Sequence, residues 1–277
     1  MMDKYDLHCH STASDGALTP TELVKRAHQQ GVTALSLTDH DTTNGLAEAQ
    51  QTADDIGIRL IPGIELSSTW EHKCFHIVGL GIDPDEPSLL EGIEQQQIIR
   101  AERAKKIALK LEKKRIPGAY DAVREAAGDG MITRSHFASY LLEQHHVRSQ
   151  QEAFDKYLGR GKPAYVSTVW AGLEETIAWI KSSGGVAVLA HPLRYKLTSN
   201  WMNRALTAFK QAGGQGIEVV TGRSSVDDIQ RSHFFAQKFQ LRASQGSDFH
   251  TPSNEWVELG RMAALPDGSR PIWELLN

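Results

Sequence analysis

Along this chain, short apolar runs end again and again in a histidine or a carboxylate. Asp6-Leu7-His8-Cys9-His10 opens the series and Asp248-Phe249-His250 closes it. Between them come Asp15, Thr38-Asp39-His40-Asp41, Gly63-Ile64-Glu65, His76 and Ala190-His191-Pro192. Apolar runs of about four to eight residues bounded by turn signals read as buried strands. Histidine with Asp/Glu is the donor mix of borderline divalent metals. The pattern therefore constrains fold and chemistry together, because it sets metal ligands at the ends of successive strands.

Amphipathic stretches separate the runs. Thr19-Pro20-Thr21-Glu22 supplies an N-cap, a proline at the first helical position and a capping-box glutamate, and Gly31 ends that helix. Strands are predicted at 32–38, 58–64, 74–80, 186–190 and 216–220, with another ending near Asp248; helices fall at 44–56, 173–183, 200–212 and 225–239. Strands alternating with helices imply parallel βαβ units. About seven strands with polar residues at their C-terminal ends favour a closed β/α barrel, whose chemistry sits on the C-terminal rim. A doubly wound sheet gathers its ligand at one switch point instead.

The alternation breaks between about 98 and 166. A long helical run at 88–115 is followed by Pro117-Gly118, amphipathic segments at 119–127, 133–145 and 149–158, and then Gly159-Arg160-Gly161-Lys162-Pro163. This reads as a helical domain, 99–166, inserted between a first barrel part, 1–98, and a second, 167–277.

The bulk composition narrows the function classes. With 277 residues, 40% hydrophobic and 23% charged, the chain can bury a large core. No apolar run is long enough to span a bilayer. The N-terminus lacks the basic stretch and apolar segment of a secretory signal. Cys9 and Cys74 form no CxxC pair, so no disulfide framework is expected and a reducing cytoplasm is the expected location. The net charge of −4, without a Lys/Arg block, argues against long double-stranded nucleic acid. A monomer is expected.

At residue level, His8 and His10 stand two apart on a strand and share a face, which leaves Cys9 facing away as a core thiol. Asp248 and His250 repeat that spacing. Glu65 ends an apolar strand, where a carboxylate is better explained by a cation than by chance. Asp39 could orient its neighbour His40 or serve a strand-end role.

His-Cys-His-Ser-Thr at 8–12, Ser-Asp-Gly at 14–16, Thr-Asp-His-Asp at 38–41, Pro-Gly-Ile-Glu at 62–65, His76, Ala-His-Pro at 190–192 and Ser-Asp-Phe-His at 247–250 together resemble the PHP (polymerase and histidinol phosphatase) superfamily. The resemblance implies an α/β fold, a distorted (β/α)7 TIM-like barrel, and a metal-dependent phosphoric ester hydrolase. It implies that His8, His10, Glu65 and Asp248 surround one divalent ion, that Glu65 bridges to a second held by His76 and His191, and that Asp15, His40 and His250 hold a third. His8, His10, Glu65, Asp248 and His191 would form the catalytic core. Six imidazoles and three carboxylates suit Mn, Fe or Zn better than Mg or Ca, and the resemblance favours manganese. A hydroxide bridging such ions would attack the ester, since metal binding lowers the pKa of water.

Candidate substrate contacts are Arg134, Ser135 and His136 at a predicted helix start, where free N–H groups welcome an anion, with Lys162 and Arg194. The insertion, Gly-Lys-Pro-Ala-Tyr-Val at 161–166 and His-Pro-Leu-Arg-Tyr at 191–195 resemble one bacterial PHP subgroup. Its members remove the 3′-phosphate of nucleoside 3′,5′-bisphosphates, giving AMP and phosphate from the adenosine compound, and relatives trim short 5′-phosphorylated RNAs from the 5′ end. The alternatives are a histidinol-phosphate-type phosphomonoesterase, an amide or lactone hydrolase, and a metal-stabilised nucleotide- or RNA-binding module without turnover.

Overall fold

The structure, a computed structural model, describes residues 3–276. Seven strands form one sheet in chain order: β1 (Tyr5–Asp6), β2 (Ala34–Leu37), β3 (Arg59–Trp70), β4 (Lys73–Leu80), β5 (Val186–Leu189), β6 (Gly216–Thr221) and β7 (Arg242–Gly246). The sheet closes on itself. The Leu7 N–H donates to the Gln245 carbonyl at 3.1 Å, His10 to Phe249 at 2.9 Å, and Asp248 to His8 at 2.7 Å. Gly246 is required at this seam, because a Cβ there would lie 2.3 Å from that of His8.

The expectation of parallel units holds on both sides of β4 and fails at β4 itself, which is antiparallel to β3 and to β5. The predicted strand 58–64 does not stop at Glu65. It runs on to Trp70 and returns through the two-residue turn Glu71-His72, whose φ angles are 44° and 63°. Two positive φ values match the right-handed twist of a hairpin. His76 therefore reaches the rim from the first half of an antiparallel strand, and Glu65 from the middle of β3.

Alternation along the strands sorts the layers. Leu35, Leu37, Ile64, Leu66, Ile77, Leu189 and Ile217 face the outer helices and pack with Leu23, Val24, Ala49, Ile177, Leu206 and Phe235. These come from α1 (Pro20–Gln29), α2 (Leu46–Ile56), α7 (Leu173–Ser182), α8 (Ser199–Gln211) and α9 (Val226–Phe239). The capping box predicted at Thr19 and Glu22 forms. Inside the barrel, Leu7, Ala34, Ile61, Val78, Val186, Val188 and Ala190 fill the lumen, and Ile272 plugs it. Higher in the lumen, inward positions change from apolar to ionisable, and that is where the site lies. No described helix is long and apolar enough to cross a membrane.

The helices α3 (Pro87–Glu112), α4 (Ala119–Ala127), α5 (Arg134–Glu143) and α6 (Gln150–Ala153) lie between β4 and β5. The sequence-based boundary at 98 falls within α3, which is continuous. Its start, Leu89 and Ile93, packs on the barrel, and its end, Ala104, Ile107 and Leu111, belongs to a second core with Val123, Phe137 and Leu141. Between those apolar ends its buried stripe turns polar, at Gln96, Arg100 and Arg103. That polar stretch crosses the rim.

Candidate metal centre

All nine residues assigned as ligands from the sequence converge at the rim. His8 Nε2 lies 3.1 Å from His10 Nε2, 3.3 Å from Glu65 Oε1 and 3.5 Å from Asp248 Oδ1. His10 Nε2 is 3.4 Å from both Glu65 Oε2 and Asp248 Oδ1. Ligands about 2.0–2.1 Å from a tetrahedral ion stand roughly 3.3 Å from one another. Donor atoms of His8, His10 and Glu65 are spaced for one cation, with Asp248 Oδ1 beside both histidines.

Glu65 is the hinge of the cluster. Its Oε1 is 3.1 Å from His76 Nδ1 and 3.1 Å from His191 Nε2, and its Oε2 is 2.9 Å from His40 Nδ1. A second group of donors surrounds Asp15 Oδ1, with His250 Nε2 at 3.4 Å and His40 Nε2 and His10 Nδ1 each at 3.9 Å. His40 and His10 thus each face two groups of donors. A neutral imidazole offers one lone pair, so each ring serves one ion at a time.

Unpaired buried atoms test the fit of this donor set. Among the described residues, Asp15 Oδ1, His40 Nδ1 and His76 Nδ1 are buried without a hydrogen-bond partner. Buried polar groups are costly unless satisfied, and here they aim at shared points. The donor set fits divalent metal ions.

Charge is distributed as that use requires. Burial works against ionisation of Glu65, but His76, His8 and His40 outweigh it and hold the carboxyl well below its usual range. Asp248 is lowered in the same way, by Arg194 and then His8, and Asp15 by His250 and His40. Burial pulls His40 down to about 4. Burial also opposes charge on His76 and His250, yet Glu65 raises the first to about 10 and Asp15 the second to about 9.

The backbone is strained where it aims these groups. Asp41, His191 and Asp248 have φ of 50°, 28° and 55°, a region costing about 1–3 kcal/mol for residues other than glycine. Asp41 is held there by Arg100, whose Nε donates to Asp41 Oδ2 at 2.6 Å, while Asp41 Oδ1 accepts the Ser67 N–H at 2.7 Å. Glu218 was missed from the sequence. Its Oε1 accepts from His8 Nδ1 at 2.7 Å and its Oε2 from the His191 N–H at 2.6 Å. The only signal was an acidic residue at an inward position of Gly-Ile-Glu-Val-Val.

Other residues take different places from those their neighbours in sequence suggested. Asp39 does not reach His40; it accepts from Ser11 N–H, Ser11 Oγ and Ser14 Oγ at 2.8, 2.6 and 2.6 Å, fixing the loop that carries Asp15. Cys9 is fully buried and faces the outer core as expected. Ser135 Oγ donates to Asp15 Oδ2 at 2.9 Å, as does Thr133 Oγ1. His136 Nδ1 accepts the Thr133 N–H at 3.1 Å and closes a capping box on α5. Arg194 Nη1 pairs with Asp248 Oδ2. Arg134 is half-buried, 5.8 Å from the Phe154 ring, and Lys162 is exposed in the 159–163 turn. Tyr195 accepts the His76 N–H on its hydroxyl at 2.9 Å.

The strongest departure from ordinary packing is Arg103, also missed from the sequence. It is buried over the face of Trp170, 4.8 Å from the ring centre, with no hydrogen bond or ion pair among the described residues. Burial, then Arg100 and Arg134, push its pKa down to about 9.

Comparison with known proteins gives the chain its relatives. The chain is 46% identical over 274 residues to a Haemophilus influenzae protein named 5′-3′ exoribonuclease, covering 99% of each. It is 45% identical over 277 residues to a Chromobacterium violaceum 3′,5′-nucleoside bisphosphate phosphatase, covering all of this chain and 97% of the other. A solved Chromobacterium violaceum structure, described as an amidohydrolase with bound sulfate and no metal, superposes with a TM-score of 0.94 at 46% identity, covering 98% of this chain and 95% of that one. The signature described as PHP domain matches residues 6–222. With that match lying over most of the strands and seven of the nine ligands described above, the chain belongs to the PHP domain family.

Proposed function

We propose that the chain hydrolyses the 3′-phosphate of nucleoside 3′,5′-bisphosphates, converting the adenosine compound to AMP and phosphate, and also trims short 5′-phosphorylated RNAs from the 5′ end. The observation that carries the reading is the unpaired guanidinium of Arg103. Stacked on Trp170 and without an acceptor among the described residues, it is free to donate hydrogen bonds to an anion, and Arg134 adds a second charge beside it at the start of α5. Two guanidiniums that pair with no carboxylate among the described residues are what a second anionic group on the substrate requires. Histidinol phosphate has one phosphate and would leave them unused. An amide has none. The names of the two relatives point the same way.

Three divalent ions are proposed, held by His8, His10, Glu65 and Asp248, by Glu65, His76 and His191, and by Asp15, His40 and His250. Manganese is favoured, with iron or zinc as alternatives. Bound there, such ions neutralise phosphate charge and make water a nucleophile near neutral pH.

The protein's own groups then do the positioning. Arg103 and Arg134 clamp the 5′-phosphate by charge-assisted hydrogen bonds. Ser135 and Thr133 hold Asp15 while the start of α5 presents Arg134. Arg194, 43% exposed at the side chain, swings from Asp248 toward the 3′-phosphate. Glu218 holds the proton on His8 Nδ1, so Nε2 keeps its lone pair toward the centre. The second core, spanning the inserted helices, acts as the lid that reads the nucleotide.

The test is phosphate release from adenosine 3′,5′-bisphosphate by manganese-loaded protein, beside AMP, histidinol phosphate and a chelator-treated control. Fast, chelator-sensitive release from the bisphosphate alone is expected. Equal release from histidinol phosphate would overturn the two-phosphate reading.

A further inference from the structure

The barrel rim is covered unequally. Over β1 to β4 the inserted helices reach the centre, with Ser135 on Asp15, Arg100 on Asp41 and Gln96 on Ser67. Over β5 to β7 the loops are open, and Arg194, Lys196, Arg223 and Trp256 are all exposed. Trp256 is 82% exposed, the largest value among the exposed large hydrophobic side chains described. Packing does not explain an indole placed in water.

Asn254 links Arg223 to the backbone of Trp256. Arg223 Nη2 donates to Asn254 Oδ1 at 3.2 Å, and the same oxygen accepts the Trp256 N–H at 3.3 Å. Gly222 N–H donates to the Ser247 carbonyl at 3.2 Å, which latches the β6 loop to the β7 loop next to Asp248. On this loop Glu258 is engaged by Arg26 at 2.6 Å, and Glu255 is the remaining exposed carboxylate.

We infer that the open β5–β7 rim binds the nucleotides lying 3′ of the scissile phosphate in a single-stranded oligoribonucleotide, with Trp256 stacking a base and Arg223 contacting the backbone. The inference rests on the phosphoesterase reading above. With the 5′-phosphate clamped under α3 and α5 and the scissile phosphate at the metal ligands, the rest of the strand leaves across the uncovered side. An aromatic platform flanked by a cation suits single strands of any sequence, because every base has a stacking face. A mononucleotide bisphosphate ends before it reaches this surface.

The experiment compares hydrolysis of adenosine 3′,5′-bisphosphate and of a 5′-phosphorylated RNA pentamer by the unsubstituted chain, Trp256→Ala, Trp256→Phe and Arg223→Ala. For Trp256→Ala the pentamer KM is expected to rise roughly tenfold, with most of the effect restored in Trp256→Phe and the bisphosphate kinetics unchanged. The Arg223→Ala variant is expected to show a higher pentamer KM and a shallower dependence on salt. Unchanged pentamer KM in both alanine variants overturns the inference. Should the unsubstituted chain hydrolyse neither substrate, the phosphoesterase reading is what fails. The rim is then judged by affinity for the 3′-labelled pentamer with chelator present: roughly tenfold weaker binding in Trp256→Ala supports it, and equal binding overturns it.

Discussion

Glu218 accepts a hydrogen bond from His8 Nδ1 at 2.7 Å, and both residues are buried. With a metal bound, that contact keeps the proton on Nδ1 and turns Nε2 to the centre as the ligating nitrogen. Since the other Glu218 oxygen takes the His191 N–H at 2.6 Å, one carboxylate ties the β1 end of the centre to the β5 end. Replacing Glu218 with Ala is expected to weaken metal binding by about 10–100-fold, with Glu218→Gln losing less because its amide oxygen still accepts. Competition against a fluorescent chelator reads this directly, and unchanged affinity in Glu218→Ala would remove the residue from the site.

Arg103 links stability to function with opposite signs. Its burial without an acceptor beside Arg100 and Arg134 costs the folded state, while a bound 5′-phosphate would repay that cost. Arg103→Met keeps the packing over Trp170 and removes the charge. The variant is expected to gain about 1 kcal/mol or more, about 2 °C or more in Tm for a chain of this size. Its kcat/KM for the bisphosphate should fall at least tenfold, mainly through KM, while a 3′-monophosphate is cleaved as before. A drop in both Tm and activity on all substrates would make Arg103 merely structural.

Why these two residues escaped sequence analysis, when the nine ligands did not, has a physical answer. Glu65 and His191 each follow an apolar run, where a charge contradicts burial unless something binds it, and His8/His10 and Asp248/His250 repeat a two-residue spacing. Glu218 is one alternate residue in an otherwise apolar strand, which is also what a solvated face looks like. Arg103 lies in a helix crowded with charge, where only burial distinguishes it from its neighbours. The direction of β4 was hidden for another reason. The apolar pattern around His76 reads the same in either direction, and the Glu71-His72 turn adopts its positive φ values without the glycine or asparagine that usually announces them.

Asp248 offers the sharpest test of the centre as a whole. Its Oδ1 faces His8 and His10, and its Oδ2 holds Arg194. Asp248→Ala removes one donor and frees a guanidinium, and turnover is expected to fall by at least a thousandfold, or about 4 kcal/mol of activation free energy. Arg194→Ala should instead split by role, with KM raised if the contact is made in the ground state and kcat lowered if it forms in the transition state. Near-normal turnover in Asp248→Ala would exclude the proposed site.

The raised histidines set the pH dependence. Burial works against charge on both rings, but Glu65 raises His76 to about 10 and Asp15 raises His250 to about 9. Both are therefore protonated at neutral pH in the metal-free chain, and so is His8, which burial opposes but Glu218, Glu65 and Asp248 raise well above the usual histidine range. Their ion pairs contribute stability that is fully present below the ordinary histidine pKa of about 6.5 and is lost as pH rises through about 9 to 10. An incoming divalent ion must displace those protons, so it binds more tightly as pH rises over the same window. The Tm difference between manganese-loaded and chelator-treated protein is thus expected to widen from pH 6.5 to 9. Calorimetry in buffers of different ionisation enthalpy should register about three protons released near pH 7.5, one each from His8, His76 and His250. A constant Tm difference with no proton release would mean that these two rings are not displaced by metal, and the assignment of His76 and His250 as ligands would fall.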